Sequence, residues 1–349
     1  MRWTDIVEVF ITTTLVSYLI IPMIRTIAMR TGYVDHPKNN KVHAHPTALL
    51  GGVAIYIAFV AGIFTTLKFA QDPHLIAILI GATLLLVIGL IDDKMGMMPE
   101  VKLLAQFLAA MVVIKAGVRM DFLHNYYLSM ILTYLWIVGM TNAFNLLDNM
   151  NGLSAGIATI AAFFFGIIMW GSGQTDIAII SFAIAGASLG FLGHNFPNAK
   201  IFMGDSGSLV LGFLLAATSV LGSWSTRFLT TSLAMPIIIL AYPIFDTTLV
   251  TIVRLLERRS VFQGGKDHSS HRLALLGFKK KRAVLIIYSI CVALGLIALV
   301  LQRVSLKAAI GIIGVLFVCM VALGLRLAMV DTGRFGRNKS RRDIGLEEL

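Results

Sequence analysis

The stretch Leu86-Val87-Ile88-Gly89-Leu90-Ile91-Asp92-Asp93-Lys94 closes an apolar run that begins at Leu75 and carries no charge before Asp92. A helix that crosses a bilayer needs about 20 mostly apolar residues, and ionisable groups in or beside such a helix are costly enough to mark function. The same pattern recurs along the chain. Apolar runs lie near 6–29, 48–67, 75–91, 102–118, 128–146, 153–171, 176–193, 207–223, 230–253, 283–302 and 308–328. The reading is an all-α, polytopic integral membrane protein with about eleven transmembrane helices. The chain is 57% hydrophobic and 13% charged, well outside the range of about 25% charge that soluble domains show.

Lys and Arg placement orients the spans, since cytoplasmic loops carry the excess. With the N-terminus outside and the C-terminus cytoplasmic, 22 of the 29 Lys and Arg residues fall on the inner side. The formal charge of +11 suits anionic inner-leaflet lipid and an anionic substrate. It does not suit nucleic acid, because the charge is scattered over loops without a binding module. Cys291 and Cys319 lie inside apolar runs and imply no disulfide framework. The first run lacks a basic lead and a small-residue cleavage site, and is read as a retained helix. One catalytic membrane domain is expected over 1–328, with inner loops at about 30–48, 92–102, 142–152, 194–207 and 254–283, and a polar tail at 329–349.

Five acidic or amide clusters mark the inner ends of these runs, and their clustering on one face predicts a polar site built from several loops. Asp92 and Asp93 read either as a metal-proximal pair or general base, or as an ordinary solvated helix end. Asn142, Asn145, Asp148 and Asn151 recur every third residue. On a continuous helix each step of three drifts by about 60°, so a break at Gly152 is needed for all four to face one ligand. Lys200-Ile201-Phe202-Met203-Gly204-Asp205-Ser206-Gly207-Ser208 places a carboxylate and small hydroxyl residues at a helix N-terminus. Such a site suits phosphate and a divalent ion, with plain N-capping by Asp205 as the other reading. Hard oxygen donors with no Cys nearby favour Mg²⁺ or Mn²⁺ over Zn²⁺. Asp267-His268-Ser269-Ser270-His271-Arg272 supplies donors for a diphosphate. Lys41, His43 and His45 form a weaker basic element that headgroup contact explains nearly as well.

The ordered set resembles the polyprenyl-phosphate N-acetylhexosamine-1-phosphate transferases, relatives of the phospho-MurNAc-pentapeptide translocase. The resemblance covers roughly 30–275. It rests on Gly51-Gly52, Gly89-x-x-Asp92-Asp93, Lys102-x-x-x-Gln106, Asn142-x-x-Asn145-x-x-Asp148, Gly152-Leu153, Ile201 to Ser208, Pro243-x-x-Asp246 and the late His pair. It implies Mg²⁺-dependent transfer of a sugar 1-phosphate from a UDP-N-acetylhexosamine, most often UDP-GlcNAc, to undecaprenyl phosphate. UMP would be released at the cytoplasmic face of a bacterial plasma membrane, as the first membrane step of envelope polysaccharide synthesis. By that resemblance Asp92, Asp93 and Asp148 are the catalytic carboxylates, with Asp205 and Asn145 as metal ligands. Phe202 stacks on uracil and Asn151 bonds its edge, while His268, His271 and Arg272 hold the diphosphate. Lys41, Lys102, Asn142 and Asp246 are secondary candidates, and a homodimer is a further expectation. Many relatives carry Asp-Gly-x-Asp-Gly where this chain has Asp148-Asn149-Met150-Asn151-Gly152. The pentapeptide enzymes, the alternative reading, usually carry three consecutive His, whereas Ser269 and Ser270 part His268 from His271 here. An ion-coupled transporter of a phosphorylated solute is the rival class. Its sites lie near the midplane of internal repeats, which this sequence lacks.

Overall fold

A computed structural model describes residues 3–35, 46–66, 72–120, 125–224, 229–260 and 265–330. Lys41, His43, His45 and the tail beyond Val330 lie outside the described residues. The elements are α1 (Trp3–Thr31), β1 (Val34–Asp35), β2 (Thr47–Ala48), α2 (Gly51–Thr66), α3 (Pro73–Met95), α4 (Pro99–Lys115), α5 (Tyr126–Leu147), α6 (Leu153–Gly171) and α7 (Thr175–Asn195). They continue with α8 (Gly204–Leu221), α9 (Leu229–Ile239), α10 (Ala241–Leu256), α11 (Ser269–Leu275), α12 (Lys280–Leu301) and α13 (Leu306–Ala328). The chain is an all-α, multi-span membrane protein with one small antiparallel pair, Val34 opposite Ala48 and Asp35 opposite Thr47.

Every apolar run of the sequence overlies a helix or, once, a bent pair. Among the described residues eight helices are long and apolar enough to span, or nine with the bent pair counted as one. The remaining runs are α2, of 16 residues, and α4, of 17, both shorter than a full span. The run 230–253, read as one helix, is bent by 68° between Ser232–Ile239 and Ala241–Leu256. Two prolines explain the bend. Pro236 and Pro243 lack the N–H that would return to the carbonyl four residues back, so the ladder is interrupted on both sides of Leu240.

Helix α8 is the central post, with 15 of its 18 residues buried. It packs on α2, α3, α5, α6 and α7. Glycines set how closely its N-terminal turn is approached. A Cβ on Gly52 of α2 would lie 2.2 Å from the Gly207 nitrogen, and one on Gly89 of α3 would lie 2.3 Å from the Ser206 Cα. Three backbones therefore meet without side chains between them. Helix α13 stands at the other extreme, with only Ala309 and Leu327 buried, so nearly its whole apolar surface faces outward.

Gly52→Ala and Gly89→Ala must push backbone against backbone, and overpacking of that kind costs about 1–3 kcal/mol. Thermal unfolding in detergent is expected to fall by several degrees for each. Gly139→Ala, where an added Cβ meets nothing within 4 Å, should leave the midpoint unchanged. Equal midpoints for all three variants would contradict the close-packing account.

Candidate active site

The site forms where helices begin and end together at one end of the bundle. The first turn of α8 has N–H groups with no partner inside the helix. Asp93, from the last turn of α3, supplies that partner across space, accepting from the Asp205 nitrogen at 2.7 Å and the Ser206 nitrogen at 3.2 Å. Gly204 makes the approach feasible. Its φ is +72°, and a Cβ there would sit 2.4 Å from the Asp93 carboxylate. Asp93 is thus the N-terminal cap of α8 supplied by another helix, and the plain N-cap reading of Asp205 does not hold.

Capping by Asp93 leaves the Asp205 side chain available. Its Oδ2 accepts from Lys102 Nζ at 2.8 Å, and the same ammonium donates to Asp92 Oδ2 at 2.8 Å. Lys102 comes from α4, just across a short turn from the end of α3. One turn further on, Gln106 and Asn142 exchange amide hydrogen bonds, with Gln106 Nε2 donating to Asn142 Oδ1 at 3.2 Å and Asn142 Nδ2 donating back at 2.5 Å. That clasp fixes α4 on α5. Asn142 is therefore committed to helix packing and does not reach the cavity. Asn145, one turn on, donates to Ser208 Oγ at 3.0 Å and lies beside Asp205.

The helical run 142–151 breaks at Asp148, four residues before the expected glycine. Asp148 closes α5, and 148–152 forms a turn into α6 with Gly152 at φ +79°. Burial, and then the nearby Asp205 and Asp93 charges, push the Asp148 carboxyl up to about 7. Asn195, at the end of α7, pins this turn. Its Oδ1 accepts from the Gly152 nitrogen at 2.6 Å while its Nδ2 donates to the Ile201 carbonyl at 2.8 Å. The next residue, Phe202, donates its N–H to the Ala48 carbonyl at 2.7 Å, and its own carbonyl accepts from Gly51. One buried amide thus ties the Asn151–Gly152 turn to the strand-like segment that carries Phe202.

The short helix α11 forms the opposite wall. Asp246 of α10 caps it, accepting from the Ser269 nitrogen at 2.7 Å and Ser269 Oγ at 2.5 Å, and pairing with His268 Nδ1 at 2.8 Å. Ser270 Oγ donates to Asn149 Oδ1 at 2.8 Å, joining α11 to the 148–152 turn. Asp267 takes a two-pronged contact from Arg254, with Nε at 2.9 Å and Nη2 at 2.8 Å. Arg272 turns away from the cavity. Its Nη1 donates to the carbonyls of Leu327, Ala328 and Val330 and so caps the C-terminus of α13.

Together these walls enclose a cavity of about 520 Å³, lined by Asp92, Asp93, Asp148, Asn151, Phe202, Asp205 and His271 among the predicted residues. Lys102 and Asn145 do not line the cavity themselves but bond to its wall, Lys102 to Asp92 and Asp205 and Asn145 to Ser208. Asp246, His268 and Arg272 are buried and do not line the cavity; Asp246 and His268 hold the start of α11, which carries His271. Burial, and then repulsion from His268, Lys266 and Lys280, push the His271 imidazole down to about 4. Asp35, Leu49, Asn149, Met150, Asn195 and Lys266 also line the cavity, beyond the candidate residues that the sequence offers. Asn195 carried a usable signal, a polar amide ending an apolar run just before Pro197. Lys266 was hidden among loop cations.

The donor set is oxygen-rich and sulfur-free. Among the described residues no three His, Cys, Asp or Glu side chains gather as a closed metal cage. Two carboxylates converging on one cation fit Mg²⁺ in its usual manner, held by one or two carboxylates and completed by substrate phosphate and water. The cation between them in this structure is the Lys102 ammonium.

Burial alone would raise Asp267, but the Arg254 contacts win and hold its carboxyl at about 2. A depressed carboxylate stabilises the fold above its unfolded pKa, and the gain is lost as pH falls through the folded value. Asp267→Asn is therefore expected to lower stability by about 2 kcal/mol or more at pH 7. The gap to wild type should close between pH 4 and pH 2. A gap that does not change with pH would refute the ion-pair account.

Residues 75–223 match the family model described as glycosyl transferase family 4. A probable undecaprenyl-phosphate N-acetylglucosaminyl 1-phosphate transferase of Bacillus subtilis is 37% identical over 328 residues, covering 91% of each chain. A decaprenyl-phosphate N-acetylglucosaminephosphotransferase of Mycobacterium tuberculosis is 32% identical over 320 residues, covering 81% of this chain and 79% of the relative. An undecaprenyl-phosphate alpha-N-acetylglucosaminyl 1-phosphate transferase of Escherichia coli is 29% identical over 316 residues, with the same coverage. The matched segment runs from α3 to α8 and so contains Asp92, Lys102, Asn145, Asp148 and Asp205. The chain belongs to glycosyl transferase family 4.

Proposed function

We propose that this protein transfers N-acetylglucosamine 1-phosphate from UDP-GlcNAc to undecaprenyl phosphate, releasing UMP, at the cytoplasmic face of a bacterial plasma membrane. An oxygen of the lipid phosphate forms the new bond to the sugar-bearing phosphorus. The bridging P–O bond breaks, and its electron pair leaves on the UMP phosphate. The observation that carries this reading is the convergence of carboxylates from α3 and α8 on one cation, at the wall of a cavity that opens at the helix ends. The names of the similar bacterial enzymes supply the sugar and the lipid.

Both reactants are phosphate anions that repel, and phosphoryl transfer relies on positioning and on neutralising charge. A bound Mg²⁺, or Mn²⁺ in its place, would supply that neutralisation and polarise the diphosphate, held by Asp205 and Asp92 with Asn145 alongside. Phe202 offers a ring for uracil, and Asn151 offers both donor and acceptor to its edge. His271, held on α11, offers the diphosphate a hydrogen bond from the far wall. Lys102 adds a mobile positive charge at the point where the two anions must meet. The separation of His268 from His271, and the roles named for the relatives, favour the simple hexosamine donor over the pentapeptide-bearing one.

Purified protein given Mg²⁺, undecaprenyl phosphate and a panel of UDP-sugars should release UMP fastest with UDP-GlcNAc. No release with any UDP-sugar would refute the proposal. Asp205→Asn should lower kcat on the order of 100-fold while the protein still purifies as a folded monodisperse species. Phe202→Ala should raise KM for the nucleotide sugar about tenfold, the loss expected for one base–aromatic stack, with a smaller change in kcat. Arg282→Gln, which changes an exposed cation in the first turn of α12, should alter neither constant.

A further inference from the structure

Lys102 holds a position that a divalent ion would need. Its ammonium lies 2.8 Å from Asp92 Oδ2 and 2.8 Å from Asp205 Oδ2. An ion gripped by those two oxygens would share its location with a like charge, and both cannot stay. The stem of Lys102 is a flexible four-carbon chain ending in a compact point charge, rooted on a helix that the Gln106–Asn142 clasp holds still. Its side chain is 22% exposed, so it is not sealed into the core.

We propose that Lys102 is an internal competitor for the divalent-ion site, seated between Asp92 and Asp205 before substrates arrive and displaced toward the incoming phosphate when the ion binds. The inference rests on the functional reading for the ion at Asp92 and Asp205 and for where the ammonium goes; the geometry supplies the ammonium already lying between those two carboxylates. Without a counter-charge, two neighbouring carboxylates would repel and splay. The ammonium keeps them converged, so the empty site is already shaped for its ion. Once the ion takes both carboxylates, the freed ammonium lacks a partner until an anionic phosphate enters. Ion and phosphate therefore favour each other's binding, and by linkage the preference is reciprocal. A substrate-free protein with this device holds its ion weakly.

The test uses full-length protein in detergent and Mn²⁺ alone, without nucleotide sugar or lipid substrate. Lys102→Gln is expected to bind Mn²⁺ at least about tenfold more tightly than wild type, equivalent to about 1.4 kcal/mol. Adding Asp205→Asn should erase that gain. Unchanged or weaker Mn²⁺ binding by Lys102→Gln, or a gain that survives Asp205→Asn, would overturn the proposal. A second measurement needs no substitution. Acylation of Lys102 in wild-type protein, followed by peptide mass spectrometry, should speed up when Mn²⁺ is added, because the amine leaves its two carboxylates. A rate that stays the same or falls would also overturn it. Neither readout depends on transferase activity, so a failure here is distinct from a failure of the functional reading.

Discussion

The architecture depends on the contact of three helix backbones around the first turn of α8. Gly52 and Gly89 present no side chain there, and Gly204 accepts a left-handed φ beneath the Asp93 carboxylate. Only with those three positions bare can the end of α3 reach the start of α8. Asp93 then takes the free N–H groups of α8, and its neighbour Asp92 is carried to the side of Asp205. Packing of small residues brings backbones close in membranes, where lipid gives helices little hydrophobic reason to associate. Here the same packing serves a second purpose, since it sets the spacing between two carboxylates from different helices.

Charge in such a setting is expensive unless paired, and the acids divide by how they are paired. Asp93 and Asp246 accept the first N–H groups of α8 and α11, and Asp267 is gripped by Arg254. These three are committed to holding other elements in place. Asp92 and Asp205 share one ammonium, that of Lys102. Asp148 is pushed up to about 7 by burial and by its acidic neighbours. Asp246 and Asp93 repeat one device on opposite walls, each capping a helix of another segment so that the residue beyond, His271 or Asp205, faces the cavity.

The membrane helices were legible because hydropathy is a local property: each run of apolar residues became a helix regardless of its partners. The bend at Leu240 was written in Pro236 and Pro243, but the continuous apolar character of 230–253 masked it. At the site, sequence identified the chemistry of the residues better than their destinations. Asp92, Asp148, Asn151, Phe202, Asp205 and His271 reach one cavity, as their recurrence at helix ends suggested. Arg272 looked like a diphosphate donor because it follows a His pair, yet it caps α13, a helix more than fifty residues away in the chain. Asn142 looked like part of a ligand-wrapping series, yet it clasps Gln106. Asn195 reads as an ordinary amide at the end of an apolar run, yet it joins two walls. Capping across space and amide clasps depend on which helix lies alongside, and no local pattern encodes that.

The most direct measurement of the central claim is anomalous diffraction from crystals grown with Mn²⁺ and UDP-GlcNAc. The account predicts one strong peak in direct contact with Asp205 and Asp92, the uracil against Phe202, and the Lys102 ammonium moved off both carboxylates onto phosphate oxygen. A peak seated instead on His268 and His271, or an ion at Asp205 with Lys102 still bridging to Asp92, would contradict it.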